Sequence, residues 1–235
     1  MKLRKAILLI AIIIIADQAL KIWIKTSYST GEVTKVMGMR WFRLYFIENS
    51  GMAWGWKFGN EIGKMVLTLF RLAAVIFGTW YLGKIVKRNY SRGFIVCASL
   101  IYAGALGNLL DSMFYGMIFD KGLRFDPAIH DYVSYSGVAH FVAPTHGYSS
   151  FLHGSVVDML YFPIIKSEFP NWLPFIGGDK FEFFSPIFNI ADASISLGVI
   201  TLFIFQKRFF KKHVKEDEIV ASETNAQISD EMQVS

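Results

Sequence analysis

Where this sequence is otherwise apolar, a few polar side chains recur at helical spacing, and they are the ones that could do chemistry. Asp17 and Lys21 lie four apart in the run ILLIAIIIIADQALKIWIK, so they share a helical face. Asn108 and Asp111 follow Gly104 and Gly107, Asn189 and Asp192 are again three apart, and Asp158 precedes a Pro-containing stretch. Ionisable groups in such surroundings are expensive, so each calls for a partner or a function. Asp17 and Lys21 read as a structural ion pair, and Asn108 and Asn189 as hydrogen-bonding groups between helices. Asp192 has no basic residue within a turn of it. Two carboxylates that meet in a low dielectric cannot both stay ionised, and such a pair can activate water as base and acid. An ion-binding site or a structural cluster remains an alternative for the same residues.

The elements that must position these groups are membrane spans. Of the 235 residues 53% are hydrophobic and only 18% charged, with mean hydropathy +0.38, too apolar for a soluble domain. Aromatics at 16% exclude disorder, collagen and coiled coil, and the lone Cys97 excludes a disulfide-stapled fold. Four segments are long enough to cross a bilayer: about 6–24, 65–85, 93–115 and 187–205. The N-terminus mimics a signal peptide, but Asp17 occupies a position that cleavage requires to be small, so the segment is expected to remain as a helix.

Basic clusters set the orientation: Lys2, Arg4 and Lys5; Lys84, Lys87, Arg88 and Arg92; and Lys207, Arg208, Lys211, Lys212 and Lys215. They fall on one side of an even-numbered bundle, which places both termini in the cytoplasm and the loops at 27–63 and 116–186 outside. The first loop is rich in β-favouring residues around Asn49-Ser50-Gly51 and predicts a short sheet near the membrane surface. The expected fold is therefore an all-α membrane protein of four transmembrane helices with a small β-rich outer element and a long outer loop. It forms one membrane domain over 1–212, followed by a disordered cytoplasmic tail over 213–235. At about 1.5 Å per residue, Asp17 lies about 17 Å and Asp111 about 27 Å from the inner ends of their spans, and Asp192 about 8 Å below the outer end of the fourth. The carboxylates thus gather near the outer boundary.

At these residues the chain resembles the prolipoprotein (type II) signal peptidases of bacteria. The matching pieces are Asp17-Gln18-Ala19-Leu20-Lys21, Asn49-Ser50-Gly51-Met52-Ala53-Trp54, Gly104 to Asp111, Val156-Val157-Asp158, and Phe188-Asn189-Ile190-Ala191-Asp192. Five motifs in the right order and on the right spans are specific together, though each is weak alone. The resemblance implies an intramembrane aspartic endopeptidase with Asp158 and Asp192 as its dyad. Its substrate would be a diacylglyceryl-modified prolipoprotein, cut before the lipidated cysteine. It further implies substrate contacts from Asn49 and Asn108, support from Asn189, Asp111 and Ala191, and architectural roles for Asp17, Lys21, Gly51 and Gly107. Neither metal nor organic cofactor is implied. The expected setting is the bacterial inner membrane, with the site near the outer face, lipid and the prolipoprotein as partners, a monomeric enzyme and no nucleic acid.

Two departures stand out. Where the resemblance calls for arginine, this chain has Ser112, and Arg71 in the second span is the candidate replacement. The loop before Asp158 is also longer than the family needs. Its extra residues, 116–150, carry Asp120, Asp126, Asp131, His130, His140 and His146 and are expected to form a solvated insertion. A small transporter would also gather carboxylates, but its polar stripe should continue into the inner half, where these spans are apolar. A non-catalytic scaffold would not need two aspartates in the dyad motifs.

Overall fold

The computed structural model describes residues 1–50, 61–163, 165–168, 172, 178, 180–183 and 186–209. Four helices are long and apolar enough to cross a membrane: α1 (Leu3–Lys25), α2 (Glu61–Lys87), α3 (Arg92–Ile118) and α4 (Ile190–Phe209). Each boundary has a local cause. Thr26 ends α1 by turning its backbone N–H and its hydroxyl onto the Ile22 carbonyl. Asn89, with φ 54°, takes the left-handed turn after α2, and the Ser91 hydroxyl then accepts the Phe94 N–H to open α3.

Large apolar residues on the outer faces of α1, α2 and α4 stay exposed, among them Ile15, Phe70 and Phe203, as lipid-facing residues should. Helix α3 is the centre of the bundle: half of its apolar stretch is buried, against 17–22% for the other three. Small residues allow this. A side chain at Gly107 would meet Asp17 Oδ2 at 2.9 Å and the Ala191 methyl at 3.2 Å, and one at Gly104 would strike the Ala191 carbonyl. The end of α3 widens into a π-helical turn over Asp111–Tyr115, a distortion that often re-aims side chains at functional sites.

The β-structure draws on both long loops, where the first loop alone was expected to form it. Strands β1 (Val33–Lys35), β2 (Arg43–Asn49), β5 (Val156–Tyr161) and β8 (Ile187–Phe188) form one antiparallel sheet in the order β1-β2-β5-β8. Between them in sequence lie two hairpins, β3 (Arg124–Asp126) with β4 (Asp131–Val133), and β6 (Ile165–Glu168) with β7 (Lys180–Phe183). An irregularity in β2 between Leu44 and Ile47 sets the register that faces Ile47 with Asp158 and Asn49 with Val156.

The fourth helix begins later than expected. Residues 187–188 pair with β5, and helix starts only at Ile190. Asn189 is the reason: its side-chain oxygen accepts the Asp192 N–H (2.8 Å), so it caps the helix. Asp192 therefore lies in the first turn of α4, not deeper within it. The segment 116–150 is not simply solvated either. Its Phe119, Ala139 and Tyr148 are buried with Tyr115, Ile24, Phe46, Val157 and Met159 in one hydrophobic core. The expected tail at 213–235 lies outside the described residues.

Candidate active site

Lys21 organises the polar centre of the bundle. Its ammonium, completely buried, reaches Asp111 Oδ2 (2.8 Å), Asp17 Oδ2 (2.9 Å) and Asn108 Oδ1 (2.9 Å), which uses all three of its donors. The expected Asp17–Lys21 pair is thus present, widened to include α3. Asp17 turns its other oxygen to the Ala191 N–H (2.9 Å), satisfying an otherwise orphaned donor at the start of α4. Asp111 accepts the Val157 N–H of β5 (3.2 Å) and so ties α3 to the strand that carries Asp158.

The next layer consists of two amides. Asn108 accepts from Lys21 and from Asn189 Nδ2 (3.1 Å), and its own Nδ2 donates to Asp192 Oδ1 (2.7 Å). Asn189, fully buried, donates through Nδ2 to Asp158 Oδ1 (2.6 Å) and to the Val157 carbonyl (3.3 Å). Its oxygen is the one that caps Asp192. In return, Asp192 Oδ2 accepts the Asn189 backbone N–H (3.4 Å), the reciprocal arrangement of a capping box. One amide therefore holds both Asp158 and the backbone of Asp192, although the two aspartates come from a strand and a helix.

Their surroundings differ. Asp158 is buried at 4% exposure, whereas Asp192 is only partly covered. Burial, and secondarily the charge of Asp192, push the Asp158 carboxyl up to about 8, against the weaker pull of Lys21 and the Asn189 amide. Near neutral pH Asp158 keeps its proton.

Arg71 reaches this centre from α2. Its Nη1 donates to Ser112 Oγ (3.0 Å), and Ser112 in turn donates to the Asn108 carbonyl (3.1 Å). Asn49 closes β2 opposite Val156, while Gly51 lies outside the described residues.

Sequence reasoning missed four participants. Gln18 donates to Asp111 Oδ1 (2.8 Å) and the Gly107 carbonyl (3.2 Å) and accepts from the Tyr115 hydroxyl (3.1 Å). Lys25 is buried against Glu48, whose carboxylate also accepts the Tyr135 hydroxyl (2.7 Å) and the Leu123 N–H (3.0 Å). Lys64 donates to Ser155 Oγ (3.2 Å). The repeat 17, 21, 25 at four-residue spacing was a visible signal for Lys25; nothing local marked Glu48. Of the acids and histidines of 116–150, His140 pairs with Asp120 (3.6 Å), Asp126 accepts the Ala128 N–H, and His146 meets Thr145. Among the described residues no group of three potential ligands forms a metal set.

Fold and site together define a membrane protein of four apolar helices with an acid-rich polar centre at one end of the bundle. The family model described as Signal peptidase (SPase) II matches residues 9–208. A lipoprotein signal peptidase of Porphyromonas gingivalis is 42% identical over 201 residues, which cover 85% of this chain and 81% of the relative. That of Amoebophilus asiaticus is 31% identical over 215 residues, covering 90% and 80%. Two solved bacterial membrane enzymes share the fold. One has a TM-score of 0.52 at 25% identity, covering 86% of this chain and 92% of its own. The other has 0.51 at 24%, covering 88% and 89%. The chain belongs to the signal peptidase II family, aspartic endopeptidases that remove signal peptides from prolipoproteins.

Proposed function

We propose that Asp158 and Asp192 are the catalytic dyad and that the substrate is a diacylglyceryl-modified prolipoprotein, cut just before its lipidated cysteine. The observation that carries this is the Asn189 side chain, which bonds Asp158 Oδ1 at 2.6 Å and the Asp192 N–H at 2.8 Å. Asp192, partly open, acts as general base on a water; Asp158, protonated, polarises the scissile carbonyl and lends its proton to the oxygen. As the tetrahedral intermediate collapses, the proton that Asp192 took is delivered to the leaving amine. As the carbonyl re-forms, the proton lent to its oxygen returns to Asp158, and the dyad is restored.

The surrounding residues have distinct parts in this reading. Asn108 steadies Asp192, Asn49 and Arg71 face the substrate backbone, and Asp17, Lys21, Asp111 and Ala191 keep α1, α3 and α4 in register. Orientation follows from the basic residues: Lys84, Lys87, Arg88 and Arg92 lie at the ends of α2 and α3 away from the dyad. The dyad then faces the outer leaflet of the bacterial inner membrane, with both termini in the cytoplasm, and the enzyme works as a monomer without a cofactor. The test is cleavage of a lipidated lipobox peptide by purified protein. Asp158→Asn and Asp192→Asn should each reduce it by about 10³-fold or more while leaving the protein folded. Near-normal cleavage by either variant would remove that residue from the dyad.

A further inference from the structure

Below the proposed dyad, a groove of about 410 Å³ runs down the side of the bundle between α2, α3 and α4. The helical repeat fixes its course. Ala74 and Gly78 lie three and seven residues after Arg71, on the same face of α2. Ala105, Ala98 and Phe94 lie three, ten and fourteen residues before Asn108, on the face of α3 that also carries Ser112. The groove thus opens one turn below Arg71 and Asn108, and Leu202 of α4 forms its other wall. It descends about 16 Å, from Ala105 to Phe94, towards the end of the bundle that carries Lys84 and Arg92.

The surface of this groove suits an apolar helix. No charged side chain stands among its described lining residues. Ala74, Gly78, Ala98 and Ala105 are small, and small residues let a second helix backbone come close. Tyr102 is fixed as the floor. Its ring lies so near Gly78 that a methyl there would meet it at 2.9 Å, and its hydroxyl pairs with Thr79 at 2.9 Å. About 410 Å³ takes the side chains along one face of a helix, not a whole cylinder ~10 Å across. The occupant would therefore lie partly in the groove and partly in lipid.

The family's reaction supplies such a helix. A signal peptide carries an apolar stretch of about 7–15 residues, roughly 10–22 Å as a helix, after a basic N-terminus that stays in the cytoplasm. With its scissile bond at the dyad, that stretch has to descend towards the basic end of the bundle, which is the course of the groove. We propose that the groove holds the apolar helix of the signal peptide, packed against Ala74, Gly78 and Ala98, and selects substrates by the side chains on one face of that helix. This rests on the reading of Asp158 and Asp192 as the dyad and deepens it. An acyl chain of membrane lipid is the competing occupant.

Photocrosslinking in the full-length enzyme tests the proposal. A benzoylphenylalanine placed at Ala74 should capture the apolar stretch of a lipidated prolipoprotein, located by mass spectrometry of the joined peptides. The same probe at Ile76, 63% exposed on the far side of α2, should yield lipid adducts instead. Ala74 is exposed, so Ala74→Phe obstructs the groove without entering the core. It should raise KM about tenfold with a smaller change in kcat, because binding common to ground and transition states is lost. Ile76→Phe should leave both unchanged. Repeating the capture with Asp192→Asn separates the groove from the dyad: capture at Ala74 with cleavage intact removes Asp192 from catalysis and leaves the groove standing. Lipid adducts at Ala74 in place of the signal peptide, equal capture at Ala74 and Ile76, or an unchanged KM in Ala74→Phe overturns the proposal, whatever Asp192→Asn does to cleavage.

Discussion

At the residue scale, the proposed dyad is asymmetric, and that asymmetry has consequences with pH. Asp158 is raised from 3.8 to about 8 by burial and by Asp192, so the protonated form prevails at neutral pH. Cleavage efficiency should therefore fall about tenfold per pH unit above 8, as Asp158 loses the proton that polarises the carbonyl. The stability sign follows from proton binding. Between 3.8 and about 8 the folded state holds a proton on Asp158 that the unfolded chain has released. Stability should decline as pH rises through that window and level off above it. Asp158→Asn should flatten this slope, and thermal melts of both proteins across pH 4–9 would measure the difference. Arg71 makes a separate prediction. Its hydrogen bond to Ser112 places a guanidinium at the position where the resemblance calls for an arginine side chain on α3. Arg71→Ala should lower cleavage at least about tenfold in folded protein, with partial rescue by Lys, because an ammonium lacks the planar fork. Full activity in the Ala variant would make Arg71 a bystander.

At the element scale, the segment 116–150 and strand β2 are stapled to the end of α1 by one buried pair. Lys25 and Glu48 are both nearly or fully buried, and Phe119, Tyr135 and Tyr148 place their rings 5.1–5.3 Å from the ammonium. Removing one partner would leave an uncompensated charge, typically worth about 3–5 kcal/mol. Lys25→Met and Glu48→Gln should each lower the melting temperature sharply. The double variant should be less destabilised than the sum of the two, since each single change already breaks the same interaction. Additive losses in detergent-solubilised protein would mean that the two residues act independently. Because Glu48 sits opposite Val157 in the sheet, next to the Ile47–Asp158 pair, the same variants should also reduce cleavage.

At the scale of the whole molecule, the proposed dyad sits at one end of a bundle whose flanks are broadly apolar. A substrate with two acyl chains cannot leave the bilayer cheaply, since each buried CH₂ is worth about 0.8 kcal/mol. On the proposed reading of the substrate, access is lateral, along the lipid, with the scissile bond brought to the partly open Asp192. Removing the diacylglyceryl group from an otherwise identical peptide should lower cleavage efficiency by about two orders of magnitude or more. Unchanged efficiency would count against a lipid-side entrance.

Much of this protein was legible along the chain. The four spans follow from uninterrupted apolar runs, because a bilayer demands about 20 such residues whatever they pack against. Asp17, Lys21, Asn108, Asp111, Asn189 and Asp192 stood out for the same reason: polarity inside a span has to be justified locally. Spacing also foretold the Asp17–Lys21 pair, since i and i+4 meet on any helix. Contacts between elements were another matter. That Asn189 reaches Asp158, that Arg71 finds Ser112, and that Glu48 receives Lys25, Tyr135 and Leu123 depend on how separate helices and strands are brought together. The start of α4 shows the difference at one residue. Hydropathy extends the span back to Ile187, but sheet pairing claims 187–188 and the Asn189 cap begins the helix at Ile190. The segment 116–150 reads as solvated for a similar reason: its buried residues are scattered aromatics without periodicity. Only the close approach of α1 and β5 gives Phe119 and Tyr148 an apolar surface to cover.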